Sequence, residues 1–137
     1  MELNLAALNW VGVALAVVAG QVVSTIWFVV LFGEPWAREY GAASKREHTK
    51  QVPGYTYAVG LVCTTLLVLS LAVLQRALSI HTIADALWLA VFVSVGFCVA
   101  TCVPGQAFLR RWRVALLACG SQVAMILVIS LLLVLLP

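Results

Sequence analysis

Four unbroken apolar runs constrain this chain more than any other feature. They cover residues 5–32, 57–74, 84–103 and 114–136. A helix crosses the hydrocarbon core with about 20 residues, so each run is long enough for one crossing. The runs are continuous where barrel strands would alternate, and they are too few for a closed barrel, which needs at least about eight strands. In lipid every backbone N–H and C=O must be satisfied within the protein, and for an isolated apolar run that means a helix. The sequence predicts an all-α, polytopic membrane protein: a single transmembrane domain over residues 1–137, with four transmembrane helices in a compact bundle.

Composition agrees. Hydrophobic residues make up 64% of the chain and charged residues 9%, where a soluble domain carries about 25% charged. So short a chain cannot hide that much apolar surface in a water-soluble core, and the lipid bilayer is its first expected partner. The net charge of +3 is modest. No basic arm or nucleic-acid motif accompanies it, so nucleic-acid binding is not expected.

The charge lies in the connections. Arg38, Lys45, Arg46 and Lys50 fall in the loop 33–56, and Arg110, Arg111 and Arg113 in or beside the connection 104–113. The connection 75–83 holds only Arg76. Four crossings put the connections 33–56 and 104–113 on the same side, which the positive-inside rule makes the cytoplasmic or matrix side. Both termini are then expected on the non-cytoplasmic side. Met1-Glu2-Leu3-Asn4 is acidic where a signal peptide is basic, so the first run is expected to be a retained helix.

Local signals mark the boundaries. Thr82-Ile83-Ala84-Asp85 and Ser44-Lys45-Arg46-Glu47 have capping-box form and predict helix starts, the second for a short loop helix ending before Pro53-Gly54. Pro104-Gly105 predicts the end of the third span. Trp10 and Trp88 near one membrane face, and Trp36, Tyr40, Tyr55, Tyr57 and Trp112 near the other, are expected interfacial anchors.

Candidate chemistry is sparse. Gly12, Ala16, Gly20 and Ser24 follow one another at four-residue spacing and form a small-residue groove, with a shorter counterpart at Gly120 and Ala124. The groove suits either another subunit or, as we favour, this chain's own spans. Gln21, Ser24 and Thr25 share a side of the first span, and Ser121 and Gln122 lie at a comparable depth in the fourth. They predict either a polar site between spans or, preferably, interhelical hydrogen bonds.

No ionisable side chain other than cysteine lies in the middle of a span, which argues against proton relays and ion-coupled transport. Asp85 reads as a helix cap, with pairing to His81 a minor alternative. His48 and His81 fall at opposite membrane faces and cannot share a haem. Cys63, Cys98, Cys102 and Cys119 lie within spans and are expected to behave as small buried hydrophobes. Glu34 and Arg38 have the spacing of a weak helical ion pair. No catalytic or metal set emerges, and no cofactor is expected.

Asn9-Trp10, then Trp27-Phe28-x-x-Leu31-Phe32-Gly33-x-x-Trp36, resembles the DUF1761 family of small integral membrane proteins. Val95-Gly96-Phe97 and Phe108-Leu109-Arg110-Arg111-Trp112-Arg113 are similar to it as well, and the likeness runs over nearly the whole chain. Three departures fall in the exit motif. Phe28 replaces a Tyr, Val29 or Val30 a Pro that would kink the span, and Glu34 a Lys. Where the family carries an Asn and an aromatic or His in span four, this chain has Ala118-Cys119-Gly120-Ser121-Gln122, with Gln122 as the one substitute. The resemblance implies four helices and supplies no mechanism.

The expected function is that of a structural or accessory membrane protein, either a homo-oligomer or a small subunit associated with other membrane subunits. A small carrier, channel or lipid-binding protein is the alternative, using the Gln21–Gln122 level or the aromatic inner mouth. A membrane enzyme ranks last.

Overall fold

A computed structural model describes residues 8–136. The expected start of the first span at Leu5, the acidic terminus Met1–Asn4 and Pro137 lie outside the described residues. Six helices follow in order: α1 (Trp10–Leu31), α2 (Gly33–Glu39), α3 (Lys45–Gln51), α4 (Tyr55–Ala77), α5 (Ile83–Phe108) and α6 (Trp112–Leu135). Of these, α1, α4, α5 and α6 are long and apolar enough to cross a membrane. The helices α2 and α3 make a small hairpin at the basic end.

The helix α6 is central. It packs against α1, α4 and α5, and α1 also packs against α4. Val13, Ala16, Val68, Leu71, Ala72, Ala90, Met125, Ile126 and Ile129 form the buried core. Lipid tails are as apolar as these side chains, so association rests on close packing and interhelical hydrogen bonds rather than on expelling water.

Caps explain the helix starts. The Asn9 side chain accepts from the backbone N–H groups of Val11 and Gly12, both at 3.1 Å, and its Nδ2 reaches the Leu136 carbonyl at 3.4 Å. The early asparagine therefore caps α1 and ties it to the end of α6. Ser44 Oγ accepts from Glu47 N–H at 3.3 Å, and Glu47 returns a carboxylate to Ala43 N–H at 2.8 Å. Thr82 Oγ1 accepts from Asp85 N–H at 3.1 Å and donates to Asp85 Oδ2 at 2.7 Å.

The third span departs from expectation. Pro104 lies inside α5, and the helix continues to Phe108. Ending it at Pro104 would leave several last-turn carbonyls near hydrocarbon, whereas continuing forfeits only the bond to the Ala100 carbonyl. The stop comes at Arg110, whose φ of 55° is left-handed. There Arg110 N–H bonds the Ala107 carbonyl and Arg111 N–H bonds that of Gln106, both at 2.9 Å, a Schellman closure. The α4 helix closes in the same way at Ser79, with φ 53°.

A side chain in that region is strained by about 1 kcal/mol, which glycine relieves. Ser79→Gly should therefore stabilise the protein by roughly that amount, read as a raised melting temperature in detergent. An unchanged or lowered value would reject a left-handed closure at Ser79.

Two membrane helices contain a widened π-helical turn, Ile26–Leu31 in α1 and Ser94–Val99 in α5. In α1 the Phe32 N–H reaches back to the Trp27 carbonyl at 2.9 Å. No proline lies in this stretch of α1, yet the helix is irregular there. Such turns re-aim the side chains that follow them and are frequent at functional sites.

Candidate functional site

The small-residue groove of α1 is filled from within the chain. A Cβ on Gly12 would lie 2.8 Å from the Leu136 carbonyl oxygen, and one on Gly20 2.8 Å from Thr64 Cγ2 and 3.2 Å from Ile129 Cδ1. Ala16 between them is fully buried. Gly120 of α6 receives the Trp27 ring, since a Cβ there would stand 2.6 Å from Trp27 Cζ2. Ala124, one turn on, is half-buried. Trp27 Nε1 donates to the Leu117 carbonyl at 2.9 Å, fixing its ring between α1 and α6. Trp27 is thus a packing residue and not a free interfacial anchor.

The polar residues separate. Gln21 Nε2 donates to Thr64 Oγ1 at 2.8 Å and to the Gly60 carbonyl at 3.2 Å, so it binds α1 to α4. Gln122 is exposed and takes no part in these bonds, which leaves no Gln21–Gln122 pair. Ser121 is buried without a hydrogen-bond partner. A second interhelical amide, which the sequence reading passed over, is Gln75. It is buried and donates to the Ser130 carbonyl at 2.9 Å. Its place near the end of an apolar run made it look like loop.

Ser24 and Thr25 turn instead toward a cleft of about 610 Å³ between the inner end of α1, the α2–α3 hairpin and the start of α4. One wall is a ladder of rings. Phe28 and Trp36 have centroids 4.6 Å apart, Trp36 and Tyr40 5.0 Å, and Tyr40 and His48 5.2 Å. The Arg111 guanidinium lies over Tyr40 at 5.4 Å and donates to the Glu39 carbonyl at 3.0 Å. The α5–α6 corner is thereby fastened to the hairpin. Gln21, Ser24, Thr25, Thr49 and Thr56 supply amide and hydroxyl groups to the same cleft, together with His48. Among the described residues no carboxylate, lysine or arginine lines it.

The exit motif builds this wall. Phe32 packs on Trp27 in a tilted contact, with ring centroids 4.7 Å apart. Gly33 is buried where a Cβ would come within 3.1 Å of Lys45 Cδ and 3.2 Å of the Phe28 carbonyl oxygen, so it lets α3 approach. Glu34 accepts the Lys45 N–H at 3.4 Å, which places it in the hairpin and not in the expected pair with Arg38. The ion pair found at this end joins Arg113 to Glu39 at 4.0 Å, and it is too long and exposed to contribute much. The sequence marked Trp36 and Tyr40 as anchors, but nothing in it showed that α3 would bring His48 beside them.

The cysteines follow expectation in part: Cys119 is buried, Cys98 and Cys102 are half-buried on α5, and Cys63 is exposed on α4. Asp85 is engaged with Thr82, and His81 lines a separate cavity of about 340 Å³ at the opposite end, beside Asn9, Gln75 and Arg76.

A family described as a protein of unknown function, DUF1761, matches residues 11–134. No curated protein and no solved structure matches the chain.

Proposed function

We propose, from the premise that this chain belongs to the DUF1761 family, that it is an integral membrane protein that binds a membrane-resident amphiphile in its inner cleft. The observation that carries this reading is the cleft itself. Its volume of about 610 Å³ falls within the usual range for small-molecule sites, about 300–1,000 Å³. Its walls join aromatic rings to hydroxyls, the amides of Gln21 and Gln51 and the His48 imidazole, and its lining carries no carboxylate, lysine or arginine. That chemistry suits a ligand with an apolar body and an uncharged, hydrogen-bonding end. The basic residues gathered around this end support a cytoplasmic or matrix orientation, with both termini opposite.

Purification into nanodiscs followed by native mass spectrometry tests the proposal. The wild-type protein is expected to retain a bound lipid-like mass. Ser24→Phe and Thr56→Trp should each fill the cleft and reduce retention to a small fraction while leaving the melting temperature nearly unchanged. A wild-type protein that carries no such mass, or variants that retain it fully, would reject the reading.

A second reading is an accessory subunit of a larger membrane complex. The exposed flank of α5 favours it, where Trp88, Phe92, Val95 and Phe97 stand 60% or more exposed. Co-purification of a stoichiometric membrane partner that protects these side chains from labelling would support it.

A further inference from the structure

The amide of Gln122 is exposed at the middle of a membrane helix, and the packing of the described residues gives it no partner. Gln122 stands near the middle of the 24-residue helix α6, about 15 Å along the axis from Trp112 at a rise of about 1.5 Å per residue. That places it near the centre of a hydrocarbon core about 30 Å thick. It is exposed, although Cys119, Met125 and Ile126 around it on the helix are buried. Its side chain makes no hydrogen bond to any described residue. Of the other glutamines in the membrane helices, Gln21 is engaged with Gly60 and Thr64 and Gln75 with Ser130, while Gln106 lies in the last turn of α5, close to Arg110 and Arg111 at the basic end. The α4 helix buries Thr64, Val68, Leu71, Ala72 and Gln75, and no residue of its basic-side end from Tyr55 to Cys63 is buried.

Acyl chains offer an amide neither a donor nor an acceptor, and an unpaired amide in hydrocarbon is costly. Whatever covers Gln122 must therefore present both at mid-membrane depth. A carboxamide is self-complementary, because each can donate through nitrogen and accept through oxygen. Across a twofold axis the same side chain meets its own copy, and both amides are satisfied at once. We infer that the chain forms a symmetric dimer through α6, in which Gln122 of each copy hydrogen-bonds Gln122 of the other. The contact uses a different face from the α1 groove, which the chain fills itself. It is also independent of the inner cleft, so either can fail without the other.

Two measurements on the full chain in lipid nanodiscs or bilayers test the dimer. Gln122→Cys, in a background with the native cysteines changed to alanine or serine, should cross-link to a dimer under mild oxidation, whereas Leu116→Cys on another exposed part of α6 should not. Single-molecule photobleaching should show dimers for the wild type. Gln122→Leu should weaken association on the order of tenfold, the scale of a good interhelical polar contact, and Gln122→Asn should retain most of it. A wild type that is monomeric at all densities, dimers indifferent to Gln122→Leu, or a different protein bound at Gln122 would each overturn the inference.

Discussion

Gly20→Leu is expected to disrupt the junction of three membrane helices and to lower stability by about 3 kcal/mol or more. At Gly20 the α1 backbone touches Thr64 of α4 and Ile129 of α6 at once, and a Cβ would already lie 2.8 Å from one and 3.2 Å from the other. Neither neighbour can yield cheaply. Thr64 is held by Gln21 through its hydroxyl, and Ile129 is fully buried in the core. The inner part of α4 should therefore separate from α1, and with it the Gln21–Gly60 contact beside the cleft. Gly12→Leu is the informative comparison. Its clash is equally short, but the obstacle is the Leu136 carbonyl just beyond the end of α6, which can move aside. A sharp fall in thermal stability for Gly20→Leu with a small one for Gly12→Leu is the expected pattern. Equal, small losses at both positions would show that the groove does not face α4 and α6.

The second large effect lies at Gly120. Even alanine should destabilise by about 1–3 kcal/mol, because its methyl would lie 2.6 Å from Trp27 Cζ2. The indole cannot retreat without breaking the 2.9 Å bond from Nε1 to the Leu117 carbonyl. Trp27→Phe removes the outer part of the ring that causes the clash, so it should partly rescue Gly120→Ala. A double-mutant cycle would read this as a coupling of about 1 kcal/mol or more, measured by unfolding in mild detergent. Additive losses would mean that the two residues do not meet. The same pair explains the role of the first tryptophan in the exit motif: it locks the inner end of α1 to α6 and leaves Phe28 and Trp36 to form the cleft wall.

Fold class was open to sequence reasoning because a continuous apolar run in lipid has one economical way to satisfy its backbone. The four crossings, the two capping boxes and the short loop helix all come from local chemistry, and local chemistry is visible in order along the chain. The end of the third span was not visible. Pro104-Gly105 is a stop signal in water, but where ending a helix would bare carbonyls to hydrocarbon the helix runs on until Arg110. The candidate site was legible only in fragments. Trp36 and Tyr40 stood out as aromatics near a membrane face, Ser24 and Thr25 as polar residues in a span. Their meeting with His48 depends on how the α2–α3 hairpin folds back, which no spacing in the sequence records.

The glutamines divide what each level decides. Sequence alone established that an amide within a span must find a hydrogen-bond partner, since hydrocarbon supplies none. Which partner it finds is a matter of helix rotation and of how far α4 stands from α6, and only the tertiary structure decided that. It gave Gln21 to α4, gave Gln75 to α6, and left Gln122 facing outward. The small residues follow the same division. Their four-residue spacing determined that one face of α1 would admit a close neighbour, and the three-dimensional packing determined that the neighbours are α4 and α6 of the same chain.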